Sequence, residues 1–279
     1  MTDPDALGTT PQAPWPDDAL RDRFCGDWLL WQRRRGHRTS TDDMLTAWLA
    51  TRVHPEPPER YLDLGCGIGS VLLLTAHALE PGESHGVEAQ EQSATMAARS
   101  VSELPASAPP LLVRCADFRQ LDPARLPRYP LITGSPPYLP PGTGVPSPDP
   151  QRAACRFELR GGIEDYCATA ASLLAPDGVF VVVFQSAWHD RVLDAASNAG
   201  LRETCRAELR TRASHDTDFL RAYAFRPTGT SAHAGFLPDD RHDSHGAADV
   251  PIEHLDVRDH DGQVTPKWLG VRRRLGLAP

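Results

Sequence analysis

Residues 61–70 read YLDLGCGIGS, and this stretch decides the fold. A short strand ends in an acid, Asp63. Gly65, Gly67 and Gly69 then make a turn that opens onto the helical run SVLLLTAHAL. Glycine admits left-handed backbone angles and lets a ligand come close to the main chain, so a strand, glycine turn and helix in this order suit a nucleotide-sized ligand. The spacing is G-x-G-x-G. The dinucleotide fingerprint needs its third glycine one residue later, for pyrophosphate and helix packing, and this loop lacks it.

Around the loop the chain alternates strands with helices. Strands are predicted at Arg60–Leu64, 85–88, Leu111–Cys115, 131–134 and 179–185, and helices at Ser70–Leu79, 90–101, 161–174 and 191–199. The run 179–185 is continuously apolar, Val-rich and preceded by Asp-Gly, as a strand buried on both faces should be. Runs 204–210 and 219–225 suit a closing antiparallel pair. Upstream, Ser40 or Thr41 caps a helix with Asp42 and Asp43 in its first turn, where the helix dipole favours acids, and with one apolar face of Met44, Leu45, Trp48 and Leu49. The pattern predicts an α/β fold: a doubly wound, mostly parallel, seven-stranded Rossmann-like sheet with a closing antiparallel strand pair. Residues 1–22, rich in Pro, Asp, Ala and Thr, read as a flexible arm, 23–227 as the domain, 228–250 as a flexible insert, and 251–279 as a strand, turn and helix that pack back on the domain.

The formal charge of −8 argues against a protein that coats nucleic acid non-specifically, since such binding rests on neutralising phosphates, but it leaves room for a local basic face. Six cysteines are scattered with no CxxC, so reduced thiols are expected. Of the histidines, His233, His242, His245, His254 and His260 lie beyond Gly229; they read either as a metal site or as a solvated polar tail, and without a ligand spacing no metal is expected. No apolar stretch could span a bilayer and no signal peptide is apparent, so a cytoplasmic monomer is expected.

Two further elements join the glycine loop. Glu88 ends the next strand, 19 residues past Gly69, where a carboxylate can accept from both hydroxyls of a ribose. Asp117 and Phe118 follow the third strand. The loop resembles motif I of class I S-adenosylmethionine (SAM) methyltransferases. The resemblance implies SAM as cofactor, held by Asp63, Gly65, Gly67, Gly69 and Glu88, with Asp117 and Phe118 at the adenine.

GSPPY, residues 134–138, closes the fourth strand beside the cofactor strand. It resembles the [Asn/Asp/Ser]-Pro-Pro-[Tyr/Phe] motif of amino methyltransferases. An exocyclic amine on a ring is a poor nucleophile because its lone pair is delocalised. Acceptors for both its hydrogens, here the Ser135 side chain and the Pro136 carbonyl, would draw the nitrogen towards tetrahedral geometry. Pro136 and Pro137 stiffen the loop, and Tyr138 offers a ring for base stacking.

More specifically, the chain resembles the bacterial tRNA adenine-N6 methyltransferase family, which modifies the adenine beside the anticodon of valine tRNA. The resemblance lies in GHRTSTDDMLTAWLA (36–50), in the glycine loop with HGVEAQ, in SPPY followed by DPQRAACRFEL, and in DVRDHDGQVTPKWLGVRRRLG. It implies a tRNA substrate and adds Arg38, in the first block, to the cofactor residues. Ser135 stands where the family has Asn, which leaves the target base open: Ser-Pro-Pro-Tyr is common in DNA cytosine-N4 methyltransferases. Methylation of a protein glutamine amide and a non-catalytic SAM-fold module are the alternative readings. A basic footprint for RNA is expected from Arg33, Arg34 and Arg35, from Arg152 and Arg156, and from Arg272 and Arg273, each cluster also reading as a solvated charged face.

Overall fold

The computed structural model describes residues 3–145, 147–230 and 250–278. In chain order these form a hairpin, β1 (Ala19–Arg23) and β2 (Leu29–Arg33); then α1 (Thr41–Val53), β3 (Arg60–Leu64), α2 (Ser70–Leu79), β4 (Glu83–Glu88), α3 (Glu91–Ser102), β5 (Leu111–Cys115) and β6 (Tyr129–Gly134); then α4 (Pro150–Arg156), α5 (Ile163–Leu173), β7 (Leu174–Gln185), α6 (His189–Asn198), β8 (Leu201–Arg212), β9 (Leu220–Pro227), β10 (Ile252–Arg258) and α7 (Pro266–Arg274). β3 to β10 make one sheet in the order β10-β8-β9-β7-β6-β3-β4-β5. Only β9 runs against its neighbours. The doubly wound, mostly parallel sheet and the antiparallel β8–β9 pair are as expected, but the sheet has eight strands rather than seven. The eighth is β10, which pairs parallel with the outer edge of β8.

β7 shows why the sheet is central. Its Val179, Val181 and Val183 enter the core on one face, against α1 and α2, and Phe180, Val182 and Phe184 enter the core on the other, against α5 and α6. The alternation follows the pleat. Each such side chain contributes about 1.5–3 kcal/mol on burial, whereas the whole strand-propensity scale spans about 1 kcal/mol, so burial on two faces sets this strand's place.

The first 22 residues are not a free arm over their described part. Leu7 is fully buried in the core beneath α5, Thr9 bridges Cys115 on the edge strand β5, and the Ala13 amide donates to Thr95 Oγ1 at 2.9 Å. β1 then pairs with β2, and Trp31 on β2 is tied to α3 through Ser100 and Glu103. Covering an edge strand satisfies backbone groups that would otherwise face solvent, and it is this tertiary gain that orders a polar segment. α1 also departs from its expected single apolar face. Leu45, Ala47, Trp48, Leu49, Ala50 and Val53 are all buried, because the helix lies between the sheet, α2 and α7.

Beyond β10, a turn held by Asp259 leads into α7. The histidine-rich reading of 228–250 lies largely outside the described residues, as do His233, His242 and His245. Among the described residues no group of acidic, His or Cys side chains could hold a metal, all six cysteines are unpaired, and no helix is long and apolar enough to cross a membrane.

Candidate active site

Strand order reverses around β3: the chain goes to β4 and β5 on one side and returns to β6 and β7 on the other. Side by side in register, β3 and β6 end together, with Asp63 opposite Thr133 and Leu64 opposite Gly134. The glycine loop therefore leaves β3 next to the point where Ser135 leaves β6. The crevice at such a switch point is where open α/β sheets bind ligands. Here it is a cleft walled by both loops, by Glu88 at the end of β4, by the first turn of α1 and by Tyr166 on α5.

The three glycines do different work. Gly65 and Gly67 have φ of 61° and 56°, in the left-handed region. A side chain at Gly65 would collide with the Tyr166 hydroxyl, whereas one at Gly67 would stand in open space within the cleft. Gly69 caps α2 and faces Ala97 on α3, so it serves helix packing and does not line the cavity. The Gly67 amide donates to Glu88 Oε2 at 2.9 Å, and the Gln90 amide to Oε1 at 2.6 Å. Each oxygen keeps a further lone pair for a ligand hydroxyl. Phe118 packs against Tyr166, ring centroids 4.4 Å apart, on the cavity wall.

Besides Gly69, two expected cofactor residues are not brought to this cavity. Asp117 turns both oxygens to the Arg119 guanidinium, which folds back over a single 3-10 turn and holds the acid below its ordinary range. Arg38 is half exposed and 3.4 Å from Asp22 on the hairpin, beside a neighbouring groove.

Acids that the sequence reading explained as helix-dipole partners belong to the cleft. Asp42 and Asp43 join Asp63 and Glu88 on its wall, facing Arg160 and His37. Burial pushes the Asp63 carboxyl up to about 7, and pushes Asp43 and Glu88 above the ordinary carboxylate range; Asp42 beside it adds to the shift at Asp43. Burial also lowers His37. Thr133 donates to Asp63 Oδ1 at 2.6 Å, while Asp63 Oδ2 is buried without a hydrogen bond, near the first turn of α2. Open space at Gly67, a buried acid oxygen without a donor, and Glu88 presented by two amides fit SAM, which carries ribose hydroxyls and two positive centres. Tyr166 and the adjacent pair Asp42 and Asp43 were missed because only the fold gathers them; an Asp-Asp pair after a capping serine looks the same on a solvated helix.

The 135–138 loop carries Ser135, Pro136, Pro137 and Tyr138 to the other wall of the cavity. The Tyr138 hydroxyl donates to Asp42 Oδ2 at 2.9 Å, and its ring meets Phe184 edge-on at 5.1 Å. Tyr138, Asp42, His37 and Cys155 also line a second groove that continues from the first. Into it project Arg34, Arg35, Arg38, Arg152 and Arg156, all exposed, and Phe219, half exposed, which the sequence reading did not single out. Arg33 is not among them: it binds Asp18 and Asp149, both at 2.8 Å, and so ties the hairpin to α4. Arg160 turns to the cofactor side. Arg272 and Arg273 lie at the far end of the molecule. Their neighbour Arg274 reaches Thr51, near the C-terminus of the 13-residue α1, about 14 Å along that helix from Asp42 at 1.5 Å per residue.

Fold and cleft together place the chain in the class I methyltransferase fold. Its coordinates superpose on a predicted O-methyltransferase from Agrobacterium tumefaciens with a TM-score of 0.55, over 85% of this chain and 98% of that one at 19% identity, a likeness of fold. No family model matches the chain. A tRNA1(Val) (adenine(37)-N6)-methyltransferase of Enterobacter sp. (strain 638) is 34% identical over 126 residues, 45% of this chain and half of that relative's own length. One of Dickeya chrysanthemi (strain Ech1591) is 30% identical over 179 residues, 63% of this chain and 68% of its own length. The chain belongs to the tRNA1(Val) (adenine(37)-N6)-methyltransferase family.

The site makes two predictions. Gly67→Val fills the open space above the loop and Glu88→Ala removes the hydroxyl acceptors. Isothermal titration with S-adenosylhomocysteine should show binding to the wild type and at least about tenfold weaker binding to each variant, the loss of one or two hydrogen bonds to a charged group. Binding that is equal in all three proteins would place the cofactor elsewhere. The second concerns pH. In the unfolded chain Asp63 ionises near its ordinary value, whereas the folded, ligand-free protein holds the proton until about 7. The folded state thus binds more protons between those values, and its stability falls as pH rises from about 4 to about 7. Melting curves across that range should show the fall, and Asp63→Asn should make it smaller, leaving the part that Asp43 and Glu88 contribute; an identical slope in the variant would mean that Asp63 is ionised throughout.

Proposed function

We propose that the protein is a SAM-dependent N-methyltransferase acting on the N6 amine of an adenine in tRNA. The observation that carries this reading is the juxtaposition at the β3/β6 switch point. An acidic, glycine-floored cleft suited to a cationic nucleoside cofactor, with Ser135 on its lining, shares its wall at Tyr138 and Asp42 with an arginine-lined groove suited to a polyanion. Family membership points to the same substrate. We place the protein's work in the cytoplasm, where tRNA is found, and no partner besides the RNA is required by the site.

When bound, the cofactor supplies a methyl group already activated on a sulfonium. The chain's own task is to aim a weak nucleophile at it. The stiff Pro136–Pro137 pair holds the Pro136 carbonyl and the Ser135 hydroxyl at the cavity wall, where they accept hydrogen bonds from the amine and direct its lone pair. Positioning of this kind can supply most of the acceleration when the donor is activated. On the groove side the five arginines meet phosphates, and half-exposed Phe219 offers a face on which a flanking base can stack.

Among the described residues no ion pair occupies Arg34, Arg35, Arg152 or Arg156, so their charge is available to RNA. Replacing all four by alanine should weaken tRNA binding and make the plot of log affinity against log salt shallower, by about one unit for each phosphate that is no longer neutralised. An unchanged slope would return them to a solvated surface role. At the chemistry itself, Ser135→Ala should slow single-turnover methyl transfer to undermethylated tRNA by roughly ten- to a hundredfold while S-adenosylhomocysteine binding holds, because the deleted hydrogen bond strengthens as nitrogen becomes tetrahedral. Nucleoside analysis of the product should show N6-methyladenosine. Wild-type speed in Ser135→Ala would mean that other groups hold the amine.

A further inference from the structure

Ser135 is too short for the task its position sets. In the amide residue that the motif usually carries, the acceptor oxygen stands two bonds from Cβ; in serine it stands one bond away. An amine held by Ser135 must sit deeper against the loop, or find its second acceptor elsewhere. Asp42 is placed to be that acceptor. It extends from the first turn of α1 onto the wall shared by the cleft and the groove. Its Oδ2 takes the Tyr138 hydroxyl at 2.9 Å, and Ser135, three residues before Tyr138, lines the same cleft as Asp42. Asp42 Oδ1 takes the Ser40 hydroxyl. A carboxylate has about four acceptor positions, so two remain open. Asp42 is part-exposed, unlike its neighbour Asp43, and is therefore reachable by a substrate that enters from the groove.

Resting on the methyltransferase reading above, we propose that Asp42 shares with Ser135 the amine hydrogen that the motif's amide oxygen usually takes, the other hydrogen going to the Pro136 carbonyl. The substitution also changes the chemistry. A neutral amide only accepts a hydrogen. A carboxylate in addition faces the positive charge that nitrogen acquires as the nitrogen–methyl bond forms and the sulfur–methyl bond breaks, an interaction stronger in the transition state than in the bound substrate. The bond pair leaves with S-adenosylhomocysteine, and the surplus amine proton passes to water. Tyr138 has a supporting part: its hydroxyl fixes the rotamer of Asp42 while its ring stays pinned on Phe184.

Asp42 as acceptor predicts a particular coupling, which a purely bracing role does not. Single-turnover rates on undermethylated tRNA are compared for wild type, Asp42→Ala, Tyr138→Phe, Ser135→Asn and the double variant Asp42→Ala/Ser135→Asn, with melting temperature and S-adenosylhomocysteine affinity measured for each. Asp42→Ala should lose about ten- to a hundredfold in rate, the scale of one charge-assisted hydrogen bond, and Tyr138→Phe less. Ser135→Asn, which restores an amide oxygen, should raise the rate of Asp42→Ala by at least about tenfold more than it changes the wild-type rate. A deficit in Asp42→Ala that Tyr138→Phe reproduces in full and Ser135→Asn does not relieve would overturn the proposal and leave Asp42 as a brace for the tyrosine. The comparison is made on whichever amine the wild type methylates. A wild-type product other than N6-methyladenosine therefore fails the functional reading alone, while the coupling still decides the role of Asp42.

Discussion

A single hydrogen bond fixes the two halves of the site against each other. Thr133 on β6 donates to the Asp63 carboxylate on β3, directly across the parallel ladder. Its one hydroxyl proton is committed there, so the Tyr61 hydroxyl, 2.7 Å away, must donate to the Thr133 oxygen. The chain Tyr61 to Thr133 to Asp63 lies in the sheet interior, where an unmade bond would cost about 1–3 kcal/mol, and a slip of one residue between β3 and β6 would break it and turn every side chain to the wrong face. Locked in this register, the strands end level. Level ends are what put the glycine loop and the Ser135 loop on two walls of one cleft.

The charge pattern of the molecule suits the two ligands proposed for this cleft and its groove. Acids gather on the cofactor side and arginines in the groove, with Tyr138, His37, Cys155 and Asp42 as the shared wall. The net charge of −8 says little about either face. At physiological salt the screening length is about 8 Å, so acid carried elsewhere on the surface does not cancel the field of five arginines that line one groove.

Elements whose signal is local could be read from the sequence; those whose reason is tertiary could not. The glycine loop, the apolar run of β7 and the antiparallel β8–β9 pair each carry their pattern within a few residues. β1, with the sequence ALRDR, has almost no apolar character and is ordered by its partner β2; Leu7 is ordered by a hole in the core that no neighbour in sequence announces. At the site the same division holds. Glu88 was legible because strand ends after a glycine loop are predictable. Asp117 was misplaced because Arg119, two residues on, claims its carboxylate, and opposite charges at that spacing before a turn were a readable warning. The arginine clusters needed the fold outright: of three runs that look alike as sequence, one splits between a structural bridge and the groove, one lines the groove, and one sits at the far end of α1.

That last point gives the C-terminal segment a part in the site it does not touch. Four carboxylates around one cleft would repel one another strongly were they opposed only by Arg160. The N-termini of α1 and α2 both point into the cleft, each equivalent to roughly half a positive charge, and so offset part of that repulsion. The offset requires α1 to stay aimed. Its far end is held by α7: Arg274 bonds the Thr51 hydroxyl and carbonyl, and Trp268 and Val271 pack into the same core as Trp48 and Val53. β10 and α7, which return to the sheet edge after residue 250, therefore act on the chemistry through the axis of one helix, by setting where Asp42 and Asp43 stand.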